Sequence, residues 1–316
     1  MKVVIAGGTG QVGTLLARAL HHDGHDVTAL GRHHARGAWR IAPWDPRHLD
    51  GWPRELDGAD VVVNLAGRSV NCRYTAANRH DILESRTASV AAIGRAIQMA
   101  KRPPAVWLQA STATIYAHTY GPAHDETRGV IGGREPDAPE TWAFSIDVAT
   151  AWERALDAAD AGATRKVALR SAMVMSPDAG GIFDTLLGLV RRGLGGTAGD
   201  GRQFLSWIHE VDFVRAVSWV IERPHLSGPV NVSAPGPLCN RQFMADLRRA
   251  WGTPIGLPAA RWMVEVGAFV LRTESELVLK SRRVVPGRLL EDGFVFTYPD
   301  WPPTARELCR RWREGR

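Results

Sequence analysis

The chain begins with an apolar strand that runs through a glycine-rich turn into an amphipathic helix, "KVVIAGGTGQVGTLLARALHH". Gly7, Gly10 and Gly13 fall at that junction. Glycine permits positive φ and lets backbone N–H groups approach a ligand closely, and the helix that follows turns its positive dipole end toward the same point. A GxGxxG spacing is weak evidence alone, but here it stands at the start of a βαβ unit, where a dinucleotide pyrophosphate is held. The other reading is a glycine turn used only for tight packing. A Walker-type phosphate loop is excluded, because no Gly-Lys-Ser/Thr follows.

The alternation continues to about residue 175, through "HDVTALGR", "DVVVNLAG", "AVWLQAST" and "RKVALRSAMVM" as strands. Between them lie helices in "NRHDILESRTASVAAIGRAIQMA" and "FSIDVATAWERALDAADAG". Near-continuous β-branched runs between helices imply strands buried on both faces. The right-handed crossover rule then predicts a Rossmann-type, doubly wound parallel α/β sheet. After Pro177 the elements shorten: helices in "IFDTLLGLVRRG" and "VDFVRAVSWVIERP", a strand in "GPVNVSAP", then helices in "RQFMADLRRAWG" and "ARWMVEVGAFVLR". A helix end turning into a strand is expected in "RLLEDGFVFTYPD", with a last helix in "PTARELCRRWREG". The organisation predicted is a dinucleotide-binding domain over 1–177, with 205–228 packing back onto it. A smaller C-terminal α+β substrate lobe is built from 178–204 and 229–316.

Composition excludes several classes. The chain has 316 residues, 45% hydrophobic and 23% charged, as ordinary globular proteins do. No run of 18 apolar residues suggests a membrane span, and the apolar opening is too short for a signal-peptide core, so a cytoplasmic location is expected. Cys72, Cys239 and Cys309 are far apart and read as reduced thiols, and neither His21-His22 nor His33-His34 has the i, i+4 spacing of a helical metal site, so no metal is expected. The net charge is +6, and with only four lysines among 39 basic residues the excess is almost all arginine. These arginines are scattered without an aromatic platform, which argues against nucleic acid and leaves a small, anionic or polar molecule as the expected partner. Oligomeric state stays open, a homodimer included.

The second strand ends "ALGRHH". An acid at that place accepts from an adenosine-ribose 2′-hydroxyl, whereas arginine neutralises a 2′-phosphate. Arg32 and then His33 stand there, with no acid before Asp45, so NADP(H) is favoured over NAD(H). The alternative for Arg32 is a solvated surface arginine.

Together, "GGTGQVG", "VVNLAG" and "STATIY" resemble the extended short-chain dehydrogenase/reductases, the epimerase/dehydratase group. The chain is most similar to an atypical branch with its own C-terminal domain, through "ESR" at 84–86, "GDGRQFLSWIHEVD" at 199–212, "PVNVSAPGPLCNRQF" at 229–243 and "LLEDGFVFTYPD" at 289–300. The resemblance spans nearly the whole chain. It implies a coenzyme held by Gly7, Thr9, Gly10, Gln11, Val12, Gly13, Arg32 and His33. Asp45 and the "NLAG" turn with Leu65, Ala66 and Gly67 would flank adenine and ribose, and Arg86 would stand on the nicotinamide side.

In that group a Ser or Thr polarises the substrate oxygen, a Tyr is the acid/base, and a Lys four residues later lowers its pKa. Thr112 fills the polarising position, with Ser111 beside it expected at the coenzyme, at a strand end where such sheets place ligands, though strand-end hydroxyls also merely cap turns. The Tyr-x-x-x-Lys pair is missing. Four residues after Tyr74, Tyr116, Tyr120 and Tyr298 come Asn78, Tyr120, His124 and Pro302. Alignment on Glu153 puts Ser145 and Ala149 in the two positions. Tyr116 and His118, in the loop after Thr112, are the nearest substitutes, since histidine exchanges protons at neutral pH without help. Arg202, Gln203, Trp207 and His209 are expected to line the substrate cleft. Against this, Trp207 can pack a domain junction and His209 can hold a loop from the core.

Overall fold

The computed structural model describes residues 1–31, 38–133, 135, 138–270 and 274–315. The chain first runs β1 (Lys2–Ala6), α1 (Gln11–His22), β2 (Asp26–Gly31), β3 (Arg40–Pro43), β4 (Val61–Asn64), α2 (Ala76–Met99), β5 (Val106–Thr112), α3 (Ala143–Ala158) and β6 (Arg165–Ser171). These strands lie in one parallel sheet in the order β6-β5-β4-β1-β2-β3. The order reverses between β1 and β4, which opens a crevice at their carboxyl ends.

The strands are buried on both faces because alternate residues serve different layers. Val3 and Ile5 of β1 meet Leu15, Leu16 and Leu20 of α1, whereas Val4 and Ala6 face the layer of α2, where Val90, Ile93 and Ile97 lie. Trp107 and Trp152 fill that second layer. Threonine starts α2: the Thr75 hydroxyl accepts from Asn78 N at 3.2 Å. Glycine ends α1, with Gly24 at φ +82° just beyond its last turn.

Beyond β6 the chain forms β7 (Met173–Met175), α4 (Ile182–Arg191), β8 (Phe204–Leu205), β9 (Trp207–His209), α5 (Glu210–Glu222), β10 (Gly228–Val232) and β11 (Leu238–Cys239). It ends in α6 (Asn240–Trp251), α7 (Arg261–Val270), α8 (Glu276–Leu279), α9 (Gly287–Glu291) and α10 (Trp301–Glu314). The smaller lobe has its own core, in which Phe183 and Leu187 of α4, Phe243 and Leu247 of α6, and Leu308 and Trp312 of α10 meet Trp207.

The expected strand "RKVALRSAMVM" is two. β6 stays in the main sheet, and after Ala172, whose N–H bonds to Val232 O, β7 leaves to pair with β9. The strand expected in the lobe, Gly228–Val232, is the edge of the main sheet, parallel to β6. The stretch after Gly293 forms no strand, and β3 was not anticipated. α5 packs on the α1 side of the sheet through Phe213, Val217 and Val220. Leu289 and Phe294, late in the chain, enter that same layer. No helix among the described residues is long and apolar enough to cross a membrane.

Candidate functional site

The glycine turn is built by close approach. Gly7 has φ +76° and donates to Leu30 O at 2.9 Å. A Cβ there would stand 2.8 Å from the amide nitrogen of Ala66 and from the carbonyl carbon of Leu65, so the first turn can pack on the "NLAG" turn only as glycine. At Gly13 a Cβ would meet Gly7 O and come within 2.7 Å of Gly8 Cα, so a third glycine brings α1 against β1. Gly10 caps α1 in extended conformation with no side-chain cap, and the first intrahelical bond is Thr14 N to Gly10 O at 2.7 Å. The amides of Gln11, Val12 and Gly13 lie ahead of that bond, at the positive end of the helix. The Thr9 side chain sits against Gly31, and the Gln11 amide against Gly181, at the start of α4. This cradle fits a diphosphate.

Beside it, a cleft of about 270 Å³ is lined by Gly31, Trp44, Asp45, His48 and Trp52. Trp44 and Trp52 meet edge-on at 4.5 Å. Asp45 accepts from His48 Nδ1 at 2.8 Å and Arg47 N at 2.9 Å, which holds its carboxyl below the usual range and raises His48. Arg32 and His33 lie outside the described residues.

Asn64 organises the next strand end. Its Oδ1 accepts from Ala66 N at 3.0 Å, and its Nδ2 donates to Gln109 Oε1 at 2.9 Å. Leu65 N bonds to Ala6 O at 2.8 Å, tying the two turns together. Arg86 lies along Gly67, donates to the carbonyls of Arg68 and Ile82 at 3.0 Å each, and stacks on Trp152 at 4.9 Å. Burial pushes its guanidinium down to about 10.

Thr112 caps the short 3-10 turn after β5, accepting from Thr114 N at 3.1 Å. Its hydroxyl hydrogen is donated to no described residue. Ser111, expected at the coenzyme, turns the other way: its hydroxyl donates to Glu153 Oε1 at 2.5 Å. Glu153 pairs with Arg170 through two bonds of 2.8 and 2.7 Å. Arg170 donates to Tyr116 OH at 2.8 Å, and Tyr116 OH donates to Asn231 Oδ1 at 2.9 Å. Tyr116 is therefore no proton donor to a cleft: it is 1% exposed and both faces of its hydroxyl are engaged.

His118 does line a cleft, of about 590 Å³, with Tyr120, Glu135, Trp142, Asp200, Gln203 and Arg261. Its Nδ1 accepts from Ser281 N at 2.8 Å, which leaves the hydrogen of the neutral ring on Nε2. Gln203 is fixed by Ala198 O at 2.9 Å and Val278 O at 3.3 Å. Arg202 is exposed and lies 5.3 Å over the Tyr120 ring.

Two expected substrate residues belong to the core. Trp207 is fully buried, donates to Gly236 O at 3.1 Å and meets Trp301 edge-on. His209 is also fully buried. It caps α5 by accepting from Val211 N at 3.1 Å, bonds Glu307 Oε2 at 2.9 Å and stacks on Tyr298. Burial holds its pKa below the ordinary value. Asp212 accepts from the backbone of Thr297 and Tyr298, at 2.9 and 2.7 Å. Sequence reasoning passed over Trp142, Glu135 and Arg261 in the cleft wall, and the Glu276–Arg282 segment behind it. The one available signal was the i, i+4 spacing of Glu276 and Lys280 in an apolar stretch. Among the described residues no group of side chains could hold a metal, and the three cysteines are unpaired.

Comparison with known proteins places these features in context. The model of the NAD dependent epimerase/dehydratase family matches residues 3–233, and a domain of unknown function, DUF1731, matches residues 259–308. The bovine epimerase family protein SDR39U1 is 32% identical over 98% of this chain and 99% of its own length. The epimerase family protein YfhF of Bacillus subtilis is 30% identical over 95% of each. Among solved structures, human SDR39U1 (isoform 2), crystallised with NADPH, superposes with a TM-score of 0.85 at 29% identity, covering 98% of this chain and 99% of that one. A nucleoside-diphosphate sugar epimerase from Corynebacterium glutamicum gives 0.72 at 26% identity, with 98% of this chain matched to 58% of the other. With its cradle, sheet order and C-terminal extension all accounted for, the chain belongs to the NAD dependent epimerase/dehydratase family.

Proposed function

We propose that this chain binds NADP(H) and uses it as an oxidoreductase or epimerase-like enzyme on a small polar or nucleotide-sugar-like carbonyl or hydroxyl compound. The observation that carries the reading is the glycine turn, in which three uncommitted helix amides face the carboxyl edge of the sheet where β1 and β4 part. NADPH would be held by Gly7 to Gly13 at the diphosphate, by the Trp44–Trp52 cleft at the adenine, and by Arg32 at the 2′-phosphate; the NADPH in the human relative favours the same coenzyme here. When bound, the coenzyme supplies the hydride, and the protein has to orient and polarise. Thr112 supplies the polarising hydroxyl, held in place by its turn. The 590 Å³ cleft, with Tyr120 and Trp142 for stacking and Glu135, Asp200 and Arg261 for hydroxyl groups, takes the substrate. His118 stands on its wall.

The test is a fluorescence titration. NADPH should bind more tightly than NADH, and Arg32→Ala should remove the difference; equal binding of the two in the unaltered protein overturns the arginine's role. Turnover of a carbonyl panel should follow, with Thr112→Val slowing the reaction about tenfold or more, as loss of a transition-state hydrogen bond does. A second reading is a non-catalytic NADP(H) sensor. It is favoured by Ser145 and Ala149 on α3 in place of the tyrosine and lysine. Tight coenzyme binding with no turnover across the panel would select it.

A further inference from the structure

A buried polar cluster packs against the first turn of α3, at the place left by the missing tyrosine and lysine. It comes from the other end of the sequence. Ser145 Oγ donates to Glu276 Oε1, and Lys280 Nζ lies 3.7 Å from that same oxygen. Lys280 also donates to Thr114 O at 3.2 Å, and Arg282 Nε to Thr114 Oγ1 at 3.0 Å. Thr114 is the residue whose N–H is capped by Thr112. One connected path therefore links the polarising threonine, two cations, a carboxylate and a serine.

Glu276 is 3% exposed, and its Oε2 is buried with no hydrogen-bond partner among the described residues. Leaving a carboxylate oxygen unsatisfied in the interior is costly. Such groups are tolerated chiefly where the charge is used. Glu153, by contrast, is satisfied on both oxygens by Arg170 and Ser111, and Glu210, the other buried carboxylate among the described residues with an unpartnered oxygen, is paired with Arg311.

We propose that the acid–base pair has moved from α3 to the C-terminal segment, where Ser145, Glu276 and Lys280 form the proton relay of this site. The proposal rests on the coenzyme-dependent reading above. In the reducing direction the Ser145 hydroxyl gives its hydrogen to a substrate oxygen that has gained an electron pair. Glu276 passes a replacement proton from the Lys280 ammonium to Ser145. Lys280 is left a neutral amine, and water reprotonates it. Oxidation runs the same transfers backwards. Ser145 delivers the proton; Glu276 and Lys280 are positioning and supply residues that act through it.

The electrostatic surroundings suit that role. Lys280 is fully enclosed, and burial pushes its ammonium down to about 8, with Arg282 adding to the effect and Glu276 and Glu135 opposing it. Tyr74 faces the cluster from the β4–α2 loop, and burial raises its hydroxyl. Glu274 accepts from Tyr74 N at 2.7 Å, and His118 reaches the segment through Ser281 N. A lysine near 8 exchanges protons at neutral pH and can restore the hydrogen that Ser145 hands on, a supply that Ala149 cannot give.

Only four lysines occur, so the test is selective 13C/15N-lysine labelling of the full chain with side-chain NMR. Loss of one resonance in Lys280→Met assigns it. Lys280 should titrate with a midpoint near 8. In Glu276→Gln the midpoint should fall by about one unit, because a facing carboxylate is lost. Saturating NADP+, whose nicotinamide is cationic, should lower it by about half a unit or more relative to NADPH, as a nearby like charge does. Coenzyme binding is read by fluorescence in the same samples. Binding with an identical Lys280 titration in both coenzyme states overturns the relay and leaves the coenzyme reading standing. No binding at all overturns the coenzyme reading, and the relay with it. The unaltered protein carries the decisive comparison, so an unstable Glu276 variant does not blunt it.

Discussion

The turn at Gly7–Gly13 and the cluster at Ser145–Glu276–Lys280 are built on opposite principles. The first is local: seven consecutive residues, no charged side chain, and specificity from backbone geometry. The second joins residues 131 positions apart, as Ser145 and Glu276 are, and depends on side chains taken out of water. Backbone amides at a helix start hold a diphosphate in any protein that can bring the helix close, so glycine spacing suffices. Proton transfer at neutral pH needs a titratable group in a tuned environment, and tertiary packing makes that environment.

The largest test of this contrast lies in neither site. Glu153→Gln leaves Arg170 buried without its charge partner, at 9% side-chain exposure, and should cost about 3–5 kcal/mol in denaturant unfolding. NADPH affinity of the folded fraction should change little, since Ser111, Glu153, Arg170 and Tyr116 bond to one another and to no residue of the glycine turn. A loss of affinity as large as the loss of stability would mean that the two sites are mechanically one.

Gly7→Ala attacks the local site directly. The positive φ alone should cost about 1–3 kcal/mol, and the Cβ contacts with Leu65 and Ala66 add to it. NADPH binding should fall at least tenfold, while the Lys280 titration of the coenzyme-free protein stays where it was. Movement of that titration would break the separation proposed here.

The smallest effect is a pH dependence outside both sites. Burial lowers the pKa of His209 below 6.5 in the folded chain. The unfolded chain therefore takes up that proton first, and stability is lost as the pH falls below 6.5, by at most about 1.4 kcal/mol per unit for the one site. His209→Gln should flatten the decline of stability between about pH 6.5 and 5. An unchanged slope would show that Glu307 keeps the ring protonated.

The same contrast explains what could be read from the sequence. The parallel sheet and the cradle were legible because alternating apolar runs and glycine spacing are local signals. The separation of β6 from β7 was not, because "RKVALRSAMVM" carries no break, and Ala172 turns only by bonding back to Val232. β10 was assigned to the lobe because its place beside β6 is set by a long connection. Trp207 and His209 look like ligand residues in "SWIHEVD", yet their partners Trp301 and Glu307 lie more than ninety positions away. Tyr116 was misjudged for the same reason, its hydroxyl being claimed by Arg170 and Asn231. The Glu276–Lys280 spacing was visible, but its burial was not.

Leu289 and Phe294 fill the layer between α5 and the main sheet, past the point where the first family match ends at residue 233. A chain cut there would expose Phe213 and Trp219, which Phe294 covers from the far end. The two family segments are thus halves of one cooperative object. Swapping the C-terminal part for that of a distant cousin should therefore cost stability in the layer that α5 and the sheet share with it.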